Sequence, residues 1–77
     1  MTANITPASL SLFLSLAEDA PNWSGTPLVE VSDEEKGNLT QLKRAGLLKT
    51  FTMDGDLFAV FTDDGEALAS EHGMEIW

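Results

Sequence analysis

The sequence predicts a small α+β domain with the element order helix, strand, helix, hairpin, helix. Runs of strand-forming residues flank Asp54-Gly55, a dipeptide that favours the tight type I′ turn of a β-hairpin. Apolar residues at helical spacing follow good capping residues such as Thr6 and Ser32. The chain of 77 residues leaves room for one domain, which we expect to cover residues 1–77.

The first helix is predicted to run from Pro7 to residue 17 or 18. Thr6 is a suitable N-cap, and Pro7 in the first helical position loses no helical hydrogen bond. Apolar residues cover more than one side of this helix, because Leu12 and Leu16 lie beside the main apolar stripe. The helix is therefore either central to the core or half of a homodimer interface.

A loop rich in Pro, Gly, Asn and Ser is predicted at residues 19–27, and it contains Trp23. A tryptophan in a loop more often anchors that loop on the core than it binds a ligand. The next residues, Leu28–Val31, include two β-branched valines and predict a short strand. Loop and strand together connect the first helix to the second.

The second helix is predicted over Asp33–Ala45. A capping box opens at Ser32, and Gly46 is the left-handed residue expected to end the helix. Gly37 weakens the first turn, because glycine is unfavourable inside a helix. We favour one helix with a weak first turn, and the alternative is a break at Gly37 with Asn38 capping a second short helix.

The hairpin is predicted to pair residues 47–53 with residues 57–61. A two-residue turn places Phe51 opposite Phe58 and Lys49 opposite Val60. Since side chains alternate across a strand, Phe51, Phe58 and Val60 are predicted to share one face of the hairpin. They form a candidate contact surface unless the C-terminal tail or the preceding loop covers them. The candidate protein-interface residues are Leu12, Leu16, Phe51, Phe58, Val60 and Trp77.

The third helix is predicted to begin at Thr62 or Asp63 and to run to about His72. Glu66 completes a capping box if Asp63 is the N-cap. Gly73 follows at the position where glycine commonly ends a helix.

Residues 39–69 carry a pattern in three parts. It reads Leu39-x-x-Leu42-x-x-Ala45-Gly46-Leu47-Leu48, then Asp54-Gly55, then Phe61-Thr62-Asp63-Asp64-Gly65-Glu66-Ala67-Leu68-Ala69. This pattern resembles the winged-helix domains of bacterial transcriptional regulators of the MarR, ArsR and PadR kind. The resemblance implies a winged-helix-like domain in which Gly46 turns the chain into the wing and Asp54-Gly55 forms the wing tip. It also implies that Phe61, the residue before the capping Thr62, points into the core, which leaves Phe51, Phe58 and Val60 on the outer face of the hairpin.

The resemblance also implies duplex DNA binding, with the second helix in the major groove and the hairpin at the minor groove or backbone. The candidate DNA-binding residues are Lys36, Asn38, Gln41, Lys43, Arg44 and Lys49. The chain departs from the family pattern twice. A standard winged helix has a middle helix between the first strand and the recognition helix, and there is no room for it between Val31 and Ser32. Either the loop around Trp23 replaces this middle helix or the second helix is split. The wing tip carries Asp54 and Asp56, where wings usually present Lys or Arg.

The charge of the chain does not decide whether its partner is duplex DNA or a protein. Thirteen acidic residues face four basic ones, for a net charge of -9, and such a field repels nucleic acid and anionic membranes. All four basic residues lie between Lys36 and Lys49. Because they would neutralise only about three phosphates, we expect weak DNA binding by a monomer and better binding by a dimer that presents two such helices. One hypothesis is a small dimeric DNA-binding regulator. The other is an acidic protein-interaction module, an adaptor or a DNA-mimic inhibitor.

The residue types needed for catalysis are scarce. The chain has no cysteine and a single histidine, His72, and no glycine-rich phosphate loop follows a strand. We therefore predict a non-enzymatic protein of regulatory type with no cofactor and no metal. No apolar run has the length of a transmembrane helix and the N-terminus lacks the pattern of a signal peptide, which predicts a cytoplasmic location and no membrane partner.

Overall fold

The computed structural model describes residues 5–76, and it places them in an α+β arrangement of helices around one β-hairpin. The elements are α1 (Pro7–Asp19), a 3₁₀ helix (Ala20–Trp23), α2 (Lys36–Arg44), β1 (Leu48–Met53), β2 (Asp56–Phe61) and α3 (Asp63–Glu71). The predicted α+β class and the order of helix, hairpin and helix are confirmed. The predicted first strand is much shorter than expected.

Helix α1 begins as its capping residues predict. The Thr6 hydroxyl accepts a hydrogen bond from the amide of Ser9 at 3.2 Å, and Pro7 occupies the first turn. The helix ends at Asp19, and the 3₁₀ helix follows without a break. Trp23 therefore lies at the end of a short helical turn rather than in an open loop.

The predicted strand Leu28–Val31 is reduced to a single bridge between Leu28 and Phe58. Two backbone hydrogen bonds hold it, from the Val29 amide to the Leu57 carbonyl at 2.8 Å and from the Ala59 amide to the Pro27 carbonyl at 3.0 Å. The chain leaves the sheet after these bonds. Strand β2 thus has β1 on one side and residues 27–29 on the other.

Helix α2 starts later than predicted, at Lys36. The Ser32 capping box does not form. Residues 32–35 instead make a turn closed by a backbone hydrogen bond from the Glu35 amide to the Ser32 carbonyl at 3.0 Å, and Glu35 becomes the N-cap without a side-chain bond. The helix continues through Gly37, so the alternative of a split helix is wrong. No helix lies within residues 24–35, where the winged-helix pattern places its middle helix.

The end of α2 follows the prediction. Gly46 adopts a φ of 76°, in the left-handed region. Its amide donates to the Lys43 carbonyl at 3.1 Å, and the Leu47 amide donates to the Leu42 carbonyl at 3.2 Å. This pair of bonds is the Schellman motif that glycine favours. It turns the chain directly into β1.

The hairpin has the predicted register. Phe51 pairs with Phe58, and Lys49 pairs with Val60. Asp54 and Gly55 both have positive φ, 54° and 84°, as a type I′ turn requires. Strands β1 and β2 differ from the predicted ranges by one residue each. The turn chemistry therefore sets which side chains share a face.

Helix α3 is capped by Thr62, whose hydroxyl accepts from the Gly65 amide at 3.1 Å. The Glu66 capping box does not form, because a box requires the acid three residues after the cap and that position is Gly65. Gly73 ends the helix with a φ of 73°, as predicted.

The core lies between α1, α2, α3 and the inner face of the hairpin. Its buried apolar residues are Phe13, Leu16, Ala17, Ala20, Val29, Leu39, Leu42, Leu47, Leu48, Ala59, Phe61, Leu68, Ala69 and Ile76. Leu16 is only 6% exposed, so its assignment to an intermolecular interface is corrected: it packs inside its own chain. Leu12 is partly buried against the same core and keeps some exposed surface.

Candidate interaction surfaces

The exposed side of α2 is basic. We call it the α2 face, and its residues are Lys36, Gly37, Thr40, Lys43 and Arg44, all of which are exposed. They lie opposite Leu39 and Leu42, which are buried in the core. Helix α2 contains no acidic residue. Three of the six candidate DNA-binding residues are therefore together on one open surface.

Asn38 and Gln41 lie on a different side of α2, contrary to the prediction that they face a DNA groove. The Asn38 side-chain oxygen accepts from the Ser9 hydroxyl at 3.2 Å. The Gln41 side-chain oxygen accepts from the Thr6 amide at 2.8 Å. Both amides therefore tie the N-terminus of α1 to α2.

Lys36 has an acidic neighbour. Its ammonium group lies 2.9 Å from a carboxylate oxygen of Asp33, and both side chains are largely exposed. An exposed ion pair of this kind contributes about 0–1 kcal/mol and is screened by salt. Asp33 reduces the positive field at the start of α2 without holding Lys36 firmly.

The second surface is the outer hairpin face, which consists of Lys49, Phe51, Met53, Phe58 and Val60. The rings of Phe51 and Phe58 stack with centroids 5.5 Å apart and planes 22° from parallel. Phe51, Val60 and Met53 are 38%, 39% and 53% exposed. The predicted aromatic pair is therefore on the outside of the hairpin, and Lys49 lies with it rather than with the α2 face.

Trp23 extends this surface on the side of residues 27–29. Its ring lies 6.0 Å from that of Phe58 in an edge-on arrangement, and its indole N–H donates to an Asp19 carboxylate oxygen at 2.8 Å. Trp23 is 41% exposed, so it covers part of Phe58 and adds a new aromatic surface beside it. The sequence left open that the loop around Trp23 covers this face, and the Trp23–Phe58 contact shows that it does so in part.

The described part of the C-terminal tail contributes to the core. Ile76 is 3% exposed and belongs to the core cluster. The predicted interface residue Trp77 lies outside the described residues.

Carboxylates lie at two places beside the outer hairpin face. Asp54 and Asp56 are exposed at its tip, and Asp19 lies against Trp23 at its other end. Lys49 is the basic residue on this face. The surface therefore combines an aromatic centre with a mainly acidic edge.

Comparisons with protein-family models, with curated proteins and with solved structures found no match.

Among residues 5–76, no helix is both long enough and apolar enough to cross a membrane.

Proposed function

We propose that this chain is a non-enzymatic, winged-helix-like interaction module of regulatory type whose outer hairpin face binds a partner protein. One observation carries the proposal. The large hydrophobic side chains that are exposed in residues 5–76 are Trp23, Phe51, Met53 and Val60, and all of them lie on or beside this one face. Clustered exposed apolar side chains typically mark an interaction site, whereas single scattered ones do not.

The aromatic content of this surface suits protein recognition. Trp23, Phe58 and Phe51 form a continuous row, since each ring contacts the next. Aromatic residues are enriched in the few interface positions that carry most of the binding free energy. The hairpin also holds the rings of Phe51 and Phe58 on a regular strand pair, which limits the conformational entropy lost on binding.

The charge of the chain defines the chemistry of the partner. The net charge of -9 and the carboxylates of Asp19, Asp54 and Asp56 favour a partner with an apolar centre and a basic edge. A second copy of this chain would bring two strongly acidic bodies together. A basic protein is therefore the better partner, and its association rate is expected to fall as salt rises.

The double variant Phe51→Ala/Phe58→Ala tests this function. We expect it to weaken partner binding by roughly 30-fold or more, since loss of interface hot spots costs about 2 kcal/mol or more. Proteins retained by the wild-type chain from a lysate of the cells that produce it would be quantified by mass spectrometry. The strongest interactor would then be purified and titrated against both forms by calorimetry.

Leu14→Ala is the control for this experiment. Leu14 is a partly buried residue of α1 that is not on the outer hairpin face, so its truncation should leave binding unchanged. Circular dichroism would establish that both variants are folded. Equal affinity of the folded double variant and the wild type would exclude the outer hairpin face as the binding surface.

A second candidate function is DNA binding through the α2 face. The observation that favours it is the grouping of Lys36, Lys43 and Arg44 on one exposed helix surface without an acidic residue in the helix. Three cations that neutralise three phosphates would produce a salt slope of about -3 and low affinity for a single copy. The exposed Asp54 and Asp56 of the hairpin tip oppose DNA contact by the wing.

Titration of a fluorescent duplex separates the two functions. If the α2 face binds DNA, we expect fluorescence anisotropy to rise at low salt and to decline with a slope of about -3 in log salt. Lys36→Ala/Lys43→Ala/Arg44→Ala should abolish the signal, whereas Lys49→Ala should reduce it little, because Lys49 lies on the outer hairpin face. An absence of binding by the wild type at low salt would rule out this second function.

A further inference from the structure

A groove with a volume of about 680 Å³ lies along α1, on the side that faces residues 28–38. Its floor includes Leu12, Leu28 and the nearly buried Leu16, and Trp23 also lines it. We call it the α1 groove. It is separate from the outer hairpin face except at Trp23, which contributes to both.

The wall supplied by α1 is made of small side chains. Ala8, Ser11 and Ser15 lie on successive turns of the helix, line the groove and are exposed. Small residues at this spacing let another helix approach closely, within the interaxial distance of about 8–10 Å that packed helices adopt. An extended peptide would gain less here, because α1 uses its own backbone groups within the helix.

The charges at the groove are of one sign. The carboxylates of Asp19, Glu30 and Glu35 line it, and no basic residue does. Glu30 and Glu35 are exposed, and no salt bridge engages either of them in the described part of the chain. A ligand for this groove therefore needs an apolar side for the floor and positive charge for the edges.

We propose that the α1 groove binds a basic, amphipathic α-helix of the partner protein. This inference rests on the proposed protein-binding function and names the segment of the partner that the chain would hold. Leucine-type side chains of the helix would contact Leu12 and Leu28, which are partly exposed. Its lysines or arginines would lie beside the three carboxylates, and its backbone would pass over the small side chains of α1.

The test uses a synthetic helical peptide of about 14 residues, which matches the length of α1 at about 1.5 Å per residue. It carries Leu at helical spacing, Lys elsewhere and a fluorescein label. Its binding is measured by anisotropy at physiological salt. We expect Glu30→Lys/Glu35→Lys to weaken binding about tenfold or more, because charges on the partner would then meet like charges.

Glu71→Lys/Glu75→Lys is the matched control, since it changes the net charge of the chain by the same amount. Both of its residues are exposed and neither lines the α1 groove. We expect it to bind the peptide nearly as well as the wild type. If the two double variants lose affinity equally, the attraction is non-specific and the α1 groove is not the site.

Ser11→Phe tests the α1 groove without changing its charge, because the added ring would fill the groove beside α1. It should weaken binding of the peptide, whereas Phe51→Ala should leave that binding unchanged, because Phe51 does not line the α1 groove. In a Trp77→Phe background, emission from Trp23 should also change when the peptide binds. A peptide of the same composition but scrambled order should bind poorly. If it binds as well, or if Ser11→Phe has no effect, the groove proposal is overturned, whereas the hairpin experiment still decides the proposed function.

Discussion

Gly65→Ala is expected to destabilise the chain by about 3 kcal/mol or more, a large share of the stability of a domain this small. A Cβ atom at Gly65 would overlap the carbonyl oxygen of Leu47, which is a backbone atom and cannot rotate away. That carbonyl also accepts a hydrogen bond from the Thr62 amide at 3.1 Å. The first turn of α3 would therefore have to move away from the end of α2. Urea unfolding, monitored by circular dichroism, would measure the decrease in the free energy of unfolding.

Gly37→Ala is the matched control, and it should raise the free energy of unfolding instead of lowering it. Nothing lies within 4 Å of a Cβ built at Gly37, which is inside α2. Alanine at such a position is expected to stabilise the helix by about 0.5–1 kcal/mol. A Gly65→Ala protein as stable as the wild type would show that α3 does not approach Leu47 as closely as described.

Phe13→Ala is expected to cost about 3–5 kcal/mol, the range observed when a buried phenylalanine is truncated. Phe13 is fully buried. Its ring meets that of Phe61 edge-on, with centroids 5.5 Å apart and planes at 86°. This contact joins α1 to the inner face of the hairpin, so its loss should loosen both elements. The free energy of unfolding in urea is again the measurement.

Leu12→Ala tests whether the stability lost in Phe13→Ala comes from the core contact of Phe13 or from any truncation of an apolar residue in α1. Leu12 is the neighbouring residue but is only partly buried, so its truncation should cost clearly less than that of Phe13. Equal losses for the two variants would contradict the assignment of Phe13 to the centre of the core. Sedimentation velocity on the same proteins would distinguish a monomer, which the net charge of -9 favours, from the homodimer that the sequence left open.

The local signals in the sequence predicted the hairpin and most helix ends correctly. The Asp54-Gly55 turn determines the pairing of Phe51 with Phe58, because a two-residue turn leaves one register. Gly46 and Gly73 end their helices in the left-handed conformation. Each of these features depends on hydrogen bonds between residues a few positions apart. The hairpin turn and the helix ends could therefore be predicted from the sequence.

The candidate sites were predicted less completely, because a helix side can be assigned only when its neighbours are known. Lys36, Lys43 and Arg44 do share an exposed surface, as helical spacing suggested. Asn38 and Gln41 have the residue types of DNA-reading side chains, but they bind α1 instead. Nothing near them in the sequence distinguishes these two uses of an amide side chain.

The sequence by itself determined the α+β class, the hairpin register and the net charge of -9. Tertiary structure alone decided that Gln41 bonds to Thr6 across 35 positions, that Trp23 packs on Phe58, and that Leu16 is internal. The physical reason is distance along the chain. Caps and turns form from neighbouring groups, whereas these contacts arise only when α1 has packed against α2 and the hairpin.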